Sequence, residues 1–250
     1  EDHDPQRRHG RRGMKSVREL YKIGRGPSSS HTIGPEMIAR NALARFGQRR
    51  YRVELFGSLA LTGKGHGTDR VLCEVLGADT DIVFNKTEKN IPHPNYMKIY
   101  SLTDGGEPEF LLDAVSVGGG SVLIDGHELA DSREVYPEHD FTEVRTFADS
   151  RGMTLPDYVR HYESDVYSHL AAVWTAMKES VERGLKASGV LGGGLELERK
   201  ARVLYGENAK FELSLIHENR KVSAYALAVA EENAANGTVV TAPTCGSAGI

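Results

Sequence analysis

Two glycine-flanked segments near the front of the chain concentrate groups that could do chemistry. Residues 26–35 read GPSSSHTIGP, and residues 57–69 read GSLALTGKGHGTD. Between them they hold Ser28, Ser29, Ser30, Thr32, His31, His66 and Lys64. The simpler use of the first segment is a turn with a helix cap, because Ser and Thr hydroxyls accept bonds from the free N–H groups at a helix start. Four hydroxyls and an imidazole between two Gly/Pro pairs exceed what one cap requires. The sharper reading is an anion site, in which hydroxyls and backbone N–H groups before a helix hold a carboxylate or phosphate and His31 donates or shuttles protons.

The second segment invites comparison with a phosphate-binding P-loop, which needs Gly, four residues, then Gly-Lys-Ser/Thr. Here five residues separate Gly57 from Gly63, and Gly65 stands where the hydroxyl belongs. The nucleotide reading therefore fails. Three glycines around Lys64 and His66 would let backbone come close to a ligand, although a surface turn with a solvated Lys and His is the plainer alternative. A Ser nucleophile lacks its G-x-S-x-G elbow. Zinc on His31, His66 and His93 lacks any short-spaced pair. A pyridoxal phosphate scheme using Lys64 and residues 192–194 has no specific support.

The elements that must position these groups alternate helix and strand. The spacing predicts a helix over 35–46 with Pro35 at its start, a half-buried strand over 51–56, and a short helix over 70–76, with the GKGHG stretch between them a loop. Further strands are expected at 81–84, 97–102 and 110–117, then a polar connector at 125–138. Val166, Leu170, Val173, Trp174, Met177, Val181 and Leu185 fall at helical spacing within 165–186. Helical pattern continues at 197–205 and 220–235, where Asn236-Gly237 stops it. The expected fold is α+β: an N-terminal mixed-sheet α/β sandwich domain over 14–150, then a mainly helical domain over 151–250. Residues 1–13, charged and without an apolar run, are set aside as a disordered or non-native leader, with Met14 the expected natural start.

Composition excludes several classes. The chain has 250 residues, 39% hydrophobic and 26% charged, with net charge -4 spread along it. That is an ordinary globular composition with no nucleic-acid footprint. No apolar run approaches the roughly 18 residues of a membrane helix. Cys73 and Cys245 are the two cysteines; they suggest neither a disulfide framework nor a metal pair, and a reducing, cytoplasmic setting fits.

Taken in order, GPSSSHTIGP, GSLALTGKGHGTD, HPNYMK (93–98), SVGGG (116–120) and AYALAVAEENAANGTVVTAPTCGSAG (224–249) resemble the iron-sulfur L-serine dehydratases, or L-serine ammonia-lyases. The resemblance runs from about Met14 to the last residue. It implies a beta-type domain followed by the start of a helical alpha-type domain, and an amino-acid-catabolic, gluconeogenic lyase converting L-serine to pyruvate and ammonia. It implies a 4Fe-4S cluster acting as Lewis acid on the serine hydroxyl, and a homo-oligomer at full length, with no nucleic-acid or membrane partner. Mapped by motif, His66 is the leading candidate base at Cα and His31 a second catalytic or orienting histidine. Ser28, Ser29, Ser30 and Thr32 would hold the carboxylate and Lys64 would neutralise it.

Such a cluster needs three or four thiolates, and two cysteines do not suffice. Cys245 stands where many relatives of this type have asparagine, and Cys73 reads as a small core residue. The resemblance places the cluster ligands beyond residue 250, so the chain reads as a C-terminally truncated lyase, inactive alone. A non-catalytic amino-acid-binding module and a pyridoxal phosphate dehydratase are the alternatives.

Overall fold

The computed structural model describes residues 13–103, 105–129, 134–192, 196–206 and 213–242. In chain order the strands are β1 (Met14–Lys15), β2 (Lys22–Arg25), β3 (Tyr51–Phe56), β4 (Asp81–Asn85), β5 (Tyr96–Ser101), β6 (Glu109–Gly118), β7 (Ser121–Ile124), β8 (His127–Glu128), β9 (Glu134–Tyr136) and β10 (Thr238–Thr241). The helices are α1 (Gly34–Phe46), α2 (Gly57–Thr62), α3 (Thr68–Leu76), α4 (Phe141–Ser150), α5 (Leu155–Tyr162), α6 (Val166–Lys186), α7 (Ala201–Gly206) and α8 (Ser214–Ala234). The α+β reading holds: a mixed sheet dominates the N-terminal part and helices the C-terminal part. None of the helices is long and apolar enough to cross a membrane, among the described residues.

Contacts divide the chain into two compact units. The larger takes residues 21–129 with those of 173–250. Its six-stranded sheet has the order β4-β3-β5-β6-β7-β8, with β3 and β4 parallel and the other pairs antiparallel. Along β3, Tyr51, Val53 and Leu55 are fully buried while Arg52 and Glu54 are partly exposed, because successive side chains point to opposite faces. The buried face shares a core with Ile38, Ala39 and Ala42 of α1 and Leu72 and Leu76 of α3. Those helical residues recur at three- and four-residue steps, so each helix turns one stripe to the sheet.

β10 pairs antiparallel with β2, Thr238 opposite Arg25 and Thr241 opposite Lys22. A segment more than 200 residues downstream thus lies beside the strand that leads into the first glycine-flanked loop. The stop expected at residues 236–237 is present: Asn236 adopts φ +62° after α8, and β10 follows at once. Within α6, burial follows Val173, Ala176, Ser180 and Gly184. Trp174, expected on the buried stripe, is 60% exposed, because it sits one position round the helix from Val173.

The smaller unit takes residues up to Leu20 with those of 130–172. β1 pairs antiparallel with β9. Asp140 caps α4 by accepting from the Glu143 N–H at 2.9 Å, and Thr154 with Asp157 forms a capping box on α5, where Pro156 occupies the first turn. Tyr136, Val144 and Tyr158 form the small core. Burial raises the Glu163 carboxyl, but bonds from the Ser16 hydroxyl, the Tyr136 hydroxyl and the Val17 N–H, with Arg18 nearby, outweigh it and hold the group below the usual carboxylate range. This unit contains no residue of the two glycine-flanked loops.

Candidate functional site

Both glycine-flanked segments belong to the larger unit, and folding turns each into helix. Residues 29–33 make a single turn of π-helix that runs directly into α1. The expectation of a loop ending at Pro35 therefore gives way to a wound start one turn earlier. Ser28 is the cap: its Oγ accepts from the His31 N–H at 3.1 Å. The second segment, expected as loop, winds α2 and then a 3-10 turn over Gly63–His66. Leu59 and Ala60 of α2 are buried in the sheet core, and this tertiary burial rather than local propensity holds so short a helix.

Two hydroxyls brace the segments together. Thr32 is fully buried, and its Oγ1 donates to the His66 carbonyl at 2.9 Å. Thr68, also fully buried, donates from Oγ1 to the His31 carbonyl. The reciprocal pair fixes the backbone at both histidines, whose rings lie 4.8 Å apart between centroids and 36° from coplanar.

The two rings differ in freedom. His66 Nδ1 is 2.9 Å from the Thr62 carbonyl. A carbonyl only accepts, so Nδ1 carries the hydrogen and, in the neutral ring, Nε2 carries the lone pair. His31 has hydroxyls on both nitrogens: Ser58 Oγ lies 2.9 Å from Nε2, Ser30 Oγ 2.9 Å and Ser28 Oγ 3.4 Å from Nδ1. Burial pushes the His31 imidazole below the ordinary histidine value, the nearby His66 lowers it further, and contact with Ser58 opposes them. The surroundings of the His31 ring therefore favour its neutral form.

Because protonation of His31 is disfavoured by folding, its contribution to stability is present above the unfolded histidine value of about 6.5 and is lost as pH falls through the lower folded value. An NMR titration of the imidazole is expected to place the His31 midpoint below the ordinary histidine range, and His66→Ala is expected to raise it by removing one of the lowering influences. A midpoint at or above the ordinary value in the parent chain would contradict this account.

Of the other expected site residues, Ser28 and Ser30 surround the His31 ring, and Ser29 is partly exposed with its carbonyl accepting from the Gly34 N–H. Lys64 is exposed on the 3-10 turn beside His66. Ser58 was not legible as a site residue, since only the winding of α2 turns its hydroxyl to His31. Its own N–H donates to the Pro94 carbonyl at 2.7 Å, which ties the HPNYMK segment to the site's floor. The Cys73 thiol is pushed up by burial and, next, by Asp69, and it is directed at the Thr80 carbonyl at 3.9 Å. Cys245 lies outside the described residues. Among the described residues, no group of three or more His, Cys, Asp or Glu side chains is placed to hold a metal ion.

An α+β unit with two helix-initiating segments and a pair of adjacent, differently hydrogen-bonded histidines is the class that the structure defines. Residues 16–78, which contain both loops, match the family of the serine dehydratase beta chain. The chain is similar to L-serine dehydratase 2 of Escherichia coli (strain K12), 31% identical across 95% of this chain and 64% of that protein. It is similar to the L-serine dehydratase of Streptomyces coelicolor, 31% identical across 94% of this chain and 64% of that protein, and to that of Helicobacter pylori at 28% with the same coverage. The chain is thus similar to the L-serine dehydratases, with the beta-chain match confined to residues 16–78, and it spans 64%, less than two-thirds, of the length of these curated relatives.

Proposed function

We propose that the chain supplies the base and the substrate-holding loops of an L-serine dehydratase, which converts L-serine to pyruvate and ammonia. The observation that carries this reading is His66, whose ring is oriented through Nδ1 so that the Nε2 lone pair is available, beside the His31 ring and a hydroxyl-rich helix start. Removing the weakly acidic Cα proton of serine needs such a base. Ser28, Ser29 and Ser30, with Lys64, offer donors and charge to the carboxylate. His66 Nε2 takes the proton, and loss of the substrate hydroxyl then leaves aminoacrylate, which hydrolyses to pyruvate and ammonium.

Expelling hydroxide needs an electrophile, and a 4Fe-4S cluster would supply Lewis acidity there. The residues described do not fit such a cluster: their one cysteine, Cys73, packs against the Thr80 carbonyl with its thiol pushed up, and no metal-holding group accompanies it. In this proposal the cluster ligands come from outside the described residues. The donor set also supports a second reading for the chain by itself, an amino-acid-binding module without turnover. The pyridoxal phosphate reading lacks the desolvation that activates a Schiff-base lysine, since Lys64 is exposed; the glycines at 193 and 194 lie outside the described residues.

Titration of the 250-residue chain with L-serine, followed by amide chemical shifts, is expected to show saturable binding confined to the two loops. After anaerobic iron loading the chain is expected to form no pyruvate. Absence of saturable L-serine binding would sink the substrate reading, and pyruvate from the iron-loaded chain would sink the argument from its donor set.

A further inference from the structure

We propose that Ser58, His31 and Ser30 form a hydroxyl–imidazole–hydroxyl relay in which the two serines, and not the ring, meet the ligand. Each His31 nitrogen already has a hydroxyl at 2.9 Å, Ser58 on Nε2 and Ser30 on Nδ1. A neutral imidazole has one N–H and one lone pair, whereas a hydroxyl both donates and accepts. The three groups therefore have two self-consistent arrangements. In the first, Ser58 donates to Nε2 and Nδ1–H donates to Ser30, so Ser58 faces outward as an acceptor and Ser30 as a donor. In the second, every direction is reversed. Neither arrangement leaves a ring nitrogen for a ligand.

Both serines are partly exposed, so the outward side of each hydroxyl is accessible, at Ser30 shared with the Ser28 hydroxyl 3.4 Å away. His66 lacks this property, because the Thr62 carbonyl commits its Nδ1–H permanently. One histidine is thus held in a single tautomer and its neighbour is free to switch. An α-amino acid presents a carboxylate that needs donors and an ammonium that needs acceptors. The first arrangement offers both: a donor at Ser30, next to Ser28 and Ser29 in the hydroxyl-rich turn, and an acceptor at Ser58 on the far side of the ring. The carboxylate then lies at the Ser30 end and the ammonium at the Ser58 end. The identity of this ligand rests on the serine dehydratase reading; the relay itself does not.

Ring ¹⁵N chemical shifts of the 250-residue chain without ligand test the relay. The His31 proton is expected to be shared between the two nitrogens, and the His66 proton to be fixed on Nδ1. An N–H that loses its acceptor is costlier than a lone pair that loses its donor. Ser58→Ala is therefore expected to move the His31 proton onto Nδ1, where Ser30 still accepts, and Ser30→Ala to move it onto Nε2, where Ser58 accepts. Amide spectra establish that both variants fold. A ring unmoved by either substitution, or moved the same way by both, would overturn the relay. L-Serine added to the parent chain is expected to move the ring proton onto Nδ1, and to bind about tenfold more weakly to either variant. If L-serine binds and the ring proton stays where it was, the serines do not read the ligand as stated and the proposal fails. If L-serine does not bind but the two substitutions still drive the proton in opposite directions, the relay stands and the serine dehydratase reading is what falls.

Discussion

His66→Ala, made in the complete cluster-loaded enzyme that the proposed function describes, is expected to lower pyruvate formation by about 10²–10⁴-fold, the usual contribution of a positioned general base. The reason is the fixed tautomer: with Nδ1–H bound to the Thr62 carbonyl at 2.9 Å, Nε2 is the ring's basic position. The visible absorption of the cluster is expected to be unchanged, since no metal-holding group of the described residues includes His66. His66→Asn separates orientation from basicity, because an amide can still donate to the Thr62 carbonyl yet has no basic nitrogen. It is expected to be as inactive as the alanine variant. Partial rescue of the alanine variant by added imidazole would support the base role, and turnover near the parent rate in either variant would remove His66 from it.

The second large effect is structural. A Cβ on Gly26 would lie 2.1 Å from the Asn233 carbonyl oxygen, 2.4 Å from its Oδ1 and 2.7 Å from its carbonyl carbon. Two of those three atoms are backbone, so no side-chain rotation relieves the clash. Gly26 also donates its N–H to the Gly237 carbonyl at 3.1 Å, and the Asn233 side chain donates to the Pro27 carbonyl at 3.4 Å. Gly26→Ala therefore prises the first loop from the end of α8. Overpacking of this kind costs about 1–3 kcal/mol or more, and at about 2–4 °C per kcal/mol for a protein of this size the melting temperature is expected to fall by roughly 5–10 °C. Gly65→Ala is the matched control, since nothing lies within 4 Å of its Cβ position and its φ is not positive. It is expected to melt within about 1–2 °C of the parent. Equal melting of the Gly26 variant and the parent would show that the loop does not depend on this close approach.

The elements legible in the chain were those with strong local periodicity. Val53 and Leu55 alternate with Arg52 and Glu54 as a half-buried strand requires, and α1, α3, α6 and α8 show apolar residues at helical steps. Among the elements missed were short ones whose stability is not local. α2 has six residues and no side-chain cap, and it persists because Leu59 and Ala60 reach the sheet core. β9 has three residues and exists through its pairing with β1, a partner about 120 residues away. Of α6, the sequence pattern included Trp174 in a face that the fold leaves exposed, because helical spacing defines a stripe's direction only to within one residue.

The candidate site divides in the same way. The residue types, two histidines and a run of hydroxyls framed by glycine and proline, were determined by the sequence, and so was the insufficiency of two cysteines for a thiolate-held cluster. The motif resemblance ranks His66 before His31, but the residue types alone do not tell the surroundings of the two histidines apart. The tertiary structure did so, through contacts between groups distant along the chain: Ser58 on His31 across 27 residues, Thr32 on the His66 carbonyl across 34, and Thr68 on the His31 carbonyl across 37. A side chain's tautomer and its loss of hydration depend on what faces it in space, and periodicity along the chain carries no record of that.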